Sequence, residues 1–298
     1  TTEWARDIVS ATEMHVKVPS LTTTTEIYVD WDGVSADYAT SATYGRDAVW
    51  SDYEYVLHMN EDPSTTSQID STGNGQTGAM VGSMTTGDLI TGPFAATSAI
   101  DFDGIDDGMV ISHSTVTAGV YDNYTTAWST QFWFKGASAS WPKKDNFVST
   151  GWLLGNTSDT YLSAHIRNSA AYEDRIAGSV YPVNDNAWHA CILQNTTSTA
   201  RDDFEFYVDG QKDTSTGSDD QLTTQSIVST ADWKFMNTPA LGVSAGALDE
   251  LRVRLGNLSA NWITTEYNNQ NDEATFWPTW TDAGATNEVK SIAGISNV

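Results

Sequence analysis

Three closely spaced aspartates form the densest group of potential metal ligands in the sequence. Asp103, Asp106 and Asp107 lie in the turn DFDGIDD, residues 101–107. A hard cation such as Ca²⁺ takes about six to eight oxygens from carboxylates, backbone carbonyls and water. The spacing predicts a structural calcium site at this turn. The alternative is an ordinary Asp-Gly turn whose carboxylates only cap backbone N–H groups.

A second candidate site is a face of aromatic and charged side chains. Alternate residues of a β-strand point to opposite faces, and segments near residues 132, 164, 206 and 253 alternate in this way. The predicted core face carries Phe132, Phe134, Leu162, Ala164, Ile166, Phe204, Phe206, Val208, Leu251, Val253 and Leu255. The opposite parity predicts an outer face of one sheet that carries Trp133, Tyr161, His165, Arg167, Tyr207 and Arg254.

This outer face has the chemistry of a sugar-binding surface. Aromatic rings cover the apolar side of a pyranose, and polar side chains take its hydroxyls. The face therefore predicts a polysaccharide or a surface glycan as ligand. Two alternatives stay open: an ordinary solvated sheet face on which Glu250 and Arg252 form a stabilising pair, and a binding site in the rim loops.

Other chemistry has little support in the sequence. The five histidines, at positions 15, 58, 113, 165 and 189, never pair at ligand spacing, and CxxC is absent, so we expect no zinc site. Cys191 lies in an apolar segment and is expected to be a buried, inert thiol. No GxSxG motif or phosphate-binding loop occurs. We predict a protein without catalytic activity.

Composition limits the partners. The 298 residues carry a net charge of −25, from 39 acidic and 14 basic side chains. Binding to nucleic acid needs clustered Lys and Arg, so neither nucleic acid nor an anionic membrane is an expected partner. No apolar run approaches the ~18 residues of a membrane span. The acidic charge is typical of a protein that is soluble in a saline habitat, and it is compatible with cation binding.

The candidate residues lie in β-strand motifs that follow one another in a fixed order. These are IDFDGIDDGMVI (100–111), AWHACILQ…FEFYVDG (187–210) and GALDELRVRLGNLS (246–259). Together they resemble the laminin-G-like, concanavalin A-like jelly roll, whose members carry DFDG-x-DD, a WH strand, YVDG and G-x-(L/I)-DE-x-R in this order. The resemblance covers roughly residues 53–276. It implies an all-β, antiparallel jelly-roll sandwich.

The resemblance also bears on the sites. Domains of this family often hold a structural Ca²⁺ between the DFDG-x-DD turn and the DE strand, which implies Asp249 as a further ligand. Glycosidases similar to this fold place E-x-D-x-(x)-E on one strand, and no such string occurs here. Retaining glycosidases need two carboxyl groups about 5 Å apart. The resemblance thus agrees with a non-enzymatic function.

We predict three parts of the chain: an N-terminal β-hairpin extension (1–50), the jelly roll (51–280) and a C-terminal tail (281–298). The hairpin pairs residues 14–21 with 26–30 across a threonine turn. This segment is similar to the tail of a small β-domain that often precedes laminin-G-like domains in phage and prokaryotic surface proteins. A hairpin of this size cannot bury enough apolar area alone, so it must pack on the jelly roll or on another chain.

The sequence of residues 259–269 predicts one short helix.

Two functions follow from these features. The first is a carbohydrate-binding or adhesion-type module on a virion, a phage tail or a cell surface, which the aromatic face favours. The second is a structural virion or surface protein that docks on neighbouring subunits through its hairpin and tail without binding glycan. The lack of a core in these two segments favours the second function.

Overall fold

The structure is a computed structural model of the chain. It describes residues 2–20, 22, 25, 27–29, 36–94, 97–112, 127–136, 142–144, 151–154, 160–169, 172–196, 204–214, 216–219, 232–238, 242–276 and 295–297.

Antiparallel β-strands make up most of the regular structure. The strands are β1 (Arg6–Ile8), β2 (Met14–Val18), β3 (Tyr53–Leu57), β4 (Ala79–Val81), β5 (Leu89–Thr91), β6 (Ser98–Asp103), β7 (Gly108–Ile111), β8 (Trp128–Lys135), β9 (Pro142–Lys144), β10 (Gly151–Leu154), β11 (Tyr161–Ser169), β12 (Tyr172–Pro182), β13 (Trp188–Asn195), β14 (Phe204–Val208), β15 (Gln211–Lys212), β16 (Thr216–Asp219), β17 (Trp233–Phe235), β18 (Asn237–Thr238), β19 (Gly242–Val243), β20 (Ala245–Leu255) and β21 (Ile295–Asn297). The helices are α1 (Arg46–Val49), α2 (Ala260–Asn271) and α3 (Glu273–Phe276), with a 3₁₀ turn at Thr86–Asp88.

Two eight-stranded antiparallel sheets form the body of the molecule. The first, here called the helix-side sheet, has the order β15-β14-β13-β8-β20-β6-β5, and β3 also pairs with β20. The second, the opposite sheet, has the order β16-β12-β11-β10-β9-β17-β7-β4. Two facing antiparallel sheets with a shared interior are a β-sandwich, so the predicted all-β antiparallel class is confirmed.

The core lies between the two sheets, as the strand parity predicts. One buried cluster contains Phe132, Phe134, Leu162, Ala164, Phe204, Phe206, Val208, Leu251 and Val253. Burial of each large side chain contributes about 1.5–3 kcal/mol. Leu255 was expected in this core but is half exposed at the end of β20, so that prediction was wrong. Ile166 lies on β11, and its side chain is outside the described residues.

A β-bulge shifts the parity of β20 in its middle. Asp249 pairs with Trp133 of β8 and Arg252 with Gln131, so two residues of β20 lie opposite one residue of β8 between these pairs. Glu250, at the bulge, has a φ of 51°, which is uncommon for a residue other than glycine. Because bulges redirect side chains, Asp249 and Arg252 both lie on the outer face of the helix-side sheet.

The N-terminal strands pair differently from the prediction. β2 pairs antiparallel with β1, with Arg6 opposite Val16, and parallel with β21, with Val16 opposite Ile295. We call this three-stranded unit the terminal sheet. The predicted hairpin between residues 14–21 and 26–30 was therefore wrong. Residues 27–29 are not in a strand, although Ile27 and Val29 pack against the apolar side chains of β2.

The terminal sheet docks on the sandwich of the same chain. Trp50 donates from Nε1 to the Oδ2 of Asp7 at 2.7 Å, and Lys17 pairs with Asp52 at 3.1 Å. Ala5 packs with Trp50 and neighbouring apolar side chains. This agrees with the prediction that the N-terminal strands pack on the main domain. The predicted domain boundaries stay predictions.

Helix α2 covers the outer face of the helix-side sheet. The predicted short helix is confirmed: Ser259 caps it by accepting a hydrogen bond from the Trp262 N–H at 3.2 Å. A separate apolar cluster lies between sheet and helix, formed by Ile192, Tyr207, Leu258, Trp262 and Ile263.

Among the described residues, no helix has both the length and the apolar character needed to cross a membrane.

Candidate functional site

The residues predicted to form one sugar-binding face lie on two different sheets. Trp133 of β8, Tyr207 of β14 and Arg254 of β20 belong to the helix-side sheet. The other three, Tyr161, His165 and Arg167, belong to β11 in the opposite sheet. The prediction of one continuous face was therefore wrong. Parity within a strand tells which side chains share a face, but not which sheet the strand joins.

Trp133 and Tyr207 are on the predicted outer face, but that face is not exposed. Each keeps only 4% of its surface accessible. Trp133 donates from Nε1 to Gln270 Oε1 at 2.8 Å and stacks on Tyr267, both from helix α2. Burial, with the nearby Glu205, raises the pKa of Tyr207 to about 12. These two rings therefore pack beneath the helix and are not available to a sugar.

The remaining predicted residues do not extend the face that carries Trp133 and Tyr207. Arg254 is half-buried, and its guanidinium lies 5.5 Å from the centre of the Tyr53 ring. Tyr161 is half-buried at the start of β11, opposite Pro182. His165 and Arg167 pair through their backbones with β10, and their side chains are outside the described residues. No single surface gathers these residues.

The acidic turn brings three carboxylates together, as predicted. One oxygen from each of Asp103, Asp106 and Asp107 lies within 4.8 Å of the others. Asp103 Oδ1 accepts from the backbone N–H of Ile105 at 2.7 Å, which lowers the pKa of that carboxyl. These hydrogen bonds are the capping contacts of the alternative interpretation.

Asp107 distinguishes this turn from a simple capped turn. Its Oδ2 accepts from the Asp103 N–H at 3.2 Å, but its buried Oδ1 has no hydrogen-bond partner. Burial raises the pKa of the Asp107 carboxyl. A buried carboxylate oxygen without a donor is costly unless another group or an ion satisfies it. The donor set therefore fits a hard cation.

Neighbouring strands fix the shape of the turn. Ser83 donates to Asp106 Oδ2 at 2.8 Å, and Asn237 Nδ2 donates to the Asp106 carbonyl at 2.5 Å. Gly82, with φ of +94°, approaches so closely that a Cβ there would clash with the same carbonyl oxygen. Ile105 projects from the turn with 76% of its surface accessible. The turn is thus a fixed, exposed rim feature.

Asp249 does not join the acidic turn, so that implication of the resemblance was wrong. Ala245 is the residue of β20 that pairs with Asp103, and Asp249 lies four residues farther along. That distance is about 13 Å in a strand. Burial and the carboxylates of Glu250 and Glu13 raise the pKa of Asp249 well above its ordinary value.

A second polar cluster, beneath the terminal sheet, was missed by the sequence analysis. Potential ligand atoms of Glu13, His15, His58 and Glu250 all lie within 4.8 Å of one another. The spacing of the histidines in the sequence, from which no zinc site was expected, did not indicate this grouping. His58 and Glu250 are 192 residues apart, so their spacing carried no signal. We name these four residues the buried His–Glu cluster.

Strong electrostatic coupling surrounds this cluster. Burial alone would raise the pKa of Glu250, but Arg252, His58 and His15 hold it well below its usual range. Arg252 also pairs with Glu266 of helix α2. Burial raises the pKa of Glu266 to about 7, although Arg252 opposes this rise. These groups tie the DE-x-R motif to the helix and to the terminal sheet.

Comparison with known proteins finds similarity of fold only. No family model matches the sequence, and no curated protein matches it. The binding domain of Paraclostridial Mosquitocidal Protein 1 is similar to 73% of this chain, with TM-score 0.56 and 12% identity. The binding domain of botulinum neurotoxin serotype D/C VPI 5993 is similar to 74%, with TM-score 0.53 and 13% identity.

A third similar structure is the binding domain of botulinum neurotoxin DC in complex with rat synaptotagmin II, with TM-score 0.53 and 13% identity over 74% of this chain. The matches cover 52% of each of these three solved chains, so this chain spans about half their length. With TM-scores just above 0.5 and identities of 12–13%, these similarities show a shared fold.

Proposed function

We propose that the chain is a non-catalytic binding module that recognises a polysaccharide or surface glycan through the rim of its sandwich at the acidic turn. The observation that carries this proposal is the convergence of Asp103, Asp106 and Asp107 at an exposed turn, with one buried oxygen of Asp107 left without a donor. Ca²⁺ bound there would accept saccharide hydroxyls or other oxygens in its remaining coordination positions.

The cover over the helix-side sheet supports a site at the acidic turn. Helix α2 closes over Trp133 and Tyr207, so the outer face of the helix-side sheet is not free for a ligand. The acidic turn, by contrast, presents the exposed side chain of Ile105 beside its carboxylates. An apolar contact next to oxygen ligands suits the mixed surface of a sugar.

The shared fold supports a binding function rather than catalysis. The similar solved structures are named as binding or receptor-binding domains. The laminin-G-like resemblance of the sequence points in the same direction. We propose an extracellular or virion surface as its location, because such ligands occur there.

The structural alternative has lost its main support. It depended on a hairpin and a tail that need a neighbouring subunit. In the structure β1 and β21 occupy the two edges of β2, and the terminal sheet packs on its own sandwich. The described strands of these segments, β1, β2 and β21, therefore pair with one another.

A glycan array with the full chain, in Ca²⁺ and in chelator, tests the proposal. We expect binding that needs Ca²⁺ and that weakens at least ~10-fold in Asp103→Asn, because a lost carboxylate ligand lowers Ca²⁺ affinity. Asp62→Asn is the matched control, because Asp62 is also a turn aspartate, accepting from the Ser64 N–H at 3.0 Å.

If Asp103→Asn binds glycan as well as the wild type does, the carboxylates of the turn only accept hydrogen bonds from backbone N–H groups. Failure of the wild type to bind any glycan on the array would favour the structural function.

A further inference from the structure

The buried His–Glu cluster draws its four side chains from distant parts of the chain. Glu13 and His15 come from β2 and the residue before it, in the terminal sheet, whereas His58 follows β3 and Glu250 lies at the bulge of β20. All four are almost fully buried, with between 1% and 5% of their surface accessible. The cluster therefore lies at the junction between the terminal sheet and the sandwich.

The potential ligand atoms of the cluster lie close enough together to reach one metal ion. His15 Nε2 lies 3.0 Å from Glu13 Oε1 and 3.9 Å from Glu250 Oε2, and His58 Nδ1 lies 2.5 Å from Glu250 Oε1. Tetrahedral ligands at bond lengths of about 2.0 Å are separated by about 3.3 Å. Small adjustments of the side chains would bring these atoms into one coordination sphere.

The surroundings of His58 resemble those of a metal-bound histidine. Its Nε2 lies 3.2 Å from the Oδ2 of Asp7, which also accepts from Trp50 Nε1 at 2.7 Å. A carboxylate that holds the second ring nitrogen fixes the tautomer and the orientation of a ligating histidine. Here it directs Nδ1 of His58 toward Glu250.

His15 is fixed in the cluster by the rings packed around it. Its Nδ1 is buried and has no hydrogen-bond partner, although the ring keeps only 1% of its surface accessible. The ring is stacked on His58, with centroids 4.9 Å apart, and contacts Trp50 at 5.1 Å. The Nε2 of His15 faces the carboxylates of Glu13 and Glu250, so Nε2 is the nitrogen that would bind the ion.

The charges of the cluster also call for a cation. Asp7, Glu13 and Glu250 are buried beside the two histidines, and Arg252 pairs with Glu250. Buried carboxylates are unfavourable unless they are compensated. Protonating both stacked histidines would compensate them only by placing two like charges about 5 Å apart in a dry site. One divalent ion supplies the same charge without that repulsion.

We propose that Glu13, His15, His58 and Glu250 bind one divalent transition-metal ion, with Zn²⁺ as the best fit, in a structural site that clamps the terminal sheet to the sandwich. Imidazole and carboxylate ligands suit Zn²⁺, and four buried protein ligands are typical of structural sites. Because two ligands come from each side of the junction, metal binding contributes directly to docking of the terminal sheet.

The test uses the full chain, stripped with chelator and titrated with Zn²⁺ against a chromophoric competitor. We expect one tight equivalent in the wild type, and at least ~100-fold weaker binding in His15→Gln and in His58→Gln, because each removes a ligand. The matched control is His189→Gln, because His189 also lies between two carboxylates, Asp185 and Asp209, but outside the cluster.

Two further measurements separate the buried cluster from the acidic turn and from an effect of misfolding. Asp103→Asn should bind Zn²⁺ like the wild type, because its carboxylate belongs to the acidic turn. Co²⁺ bound to the unaltered chain should give the intense visible absorption of a tetrahedral nitrogen and oxygen site, which decides the question even if the histidine variants fail to fold.

The proposal is overturned if the wild type takes up no Zn²⁺ or Co²⁺, or if the Co²⁺ spectrum is that of a six-coordinate ion. It is also overturned if both histidine variants fold and retain wild-type affinity. If the wild type binds Zn²⁺ but no glycan, only the proposed function is contradicted.

Discussion

Trp133 fills the space between the helix-side sheet and helix α2, where its ring stacks on Tyr267 and its Nε1 donates to Gln270. Trp133→Ala should lower the free energy of unfolding by about 3–5 kcal/mol, because it leaves a cavity and removes the partner of a buried amide. Urea denaturation measures this loss. Ile105→Ala, at an exposed position, should change stability by no more than about 0.5 kcal/mol.

Glycan binding by Trp133→Ala should persist wherever the variant is folded. If Trp133→Ala is as stable as the wild type but no longer binds glycan, Trp133 belongs to the binding site after all.

His189 predicts a pH-dependent contribution to stability. Its Nδ1 lies 2.8 Å from Asp209 and its Nε2 3.1 Å from Asp185. The hydrogen bond with Asp209 raises the pKa of His189, burial opposes this, and Asp185 adds to the rise. The folded chain therefore holds the proton more tightly than the unfolded chain, whose histidine pKa is about 6.5. The stabilisation is complete below that pH and is lost as the pH rises through the folded pKa.

We expect the melting temperature of the wild type to exceed that of His189→Gln at about pH 5 and this advantage to shrink by about pH 9. Thermal melts of both proteins across this range measure it. An advantage that grows with pH would contradict the assigned contacts.

At the scale of elements, helix α2 depends on its first turn. Ser259 accepts from the Trp262 N–H and is the N-cap of a helix that buries Trp262 and Ile263 against the sheet. Ser259→Ala should lower the free energy of unfolding by about 1 kcal/mol, because the backbone N–H of Trp262 loses its acceptor. Chemical denaturation measures the loss, with the exposed Asn261→Ala as control. Equal stability of Ser259→Ala and the wild type would show that packing alone fixes the start of the helix.

Local sequence patterns predicted the individual helices and strands better than they predicted which of these elements pack or pair together. The Ser cap with Trp262 and Ile263 predicted helix α2, and the alternation around Phe132 and Phe134 predicted a core strand. The helix was not expected over Trp133, because residues 133 and 270 meet only in the folded chain. Likewise, the apolar strand β2 can pair with more than one neighbour, and its sequence does not distinguish residues 6–8 from 26–30.

At the scale of the whole molecule, the candidate sites differ in how far the sequence reveals them. Asp103, Asp106 and Asp107 are neighbours in the chain, so their grouping could be predicted. The buried His–Glu cluster joins residues from Glu13 to Glu250, which lie near opposite ends of the sequence, and the bulge at Glu250 turns the outer face of β20 toward it. Such a site depends on the packing of the terminal sheet, for which a single sequence holds no local pattern.

The pairing of β2 with both β1 and β21 has a mechanical consequence. Arg6 and Ile295 flank Val16 from opposite sides, and Asn297 lies opposite Val18. The start of β1 and the end of β21 thus lie at the same end of the terminal sheet, about 10 Å apart, or two strand spacings. A force that separates these ends acts across the strands and breaks their hydrogen bonds one after another, like a zipper. If β1 and β21 were both pulled, the tension would pass through the terminal sheet alone, and the sandwich would carry little of it.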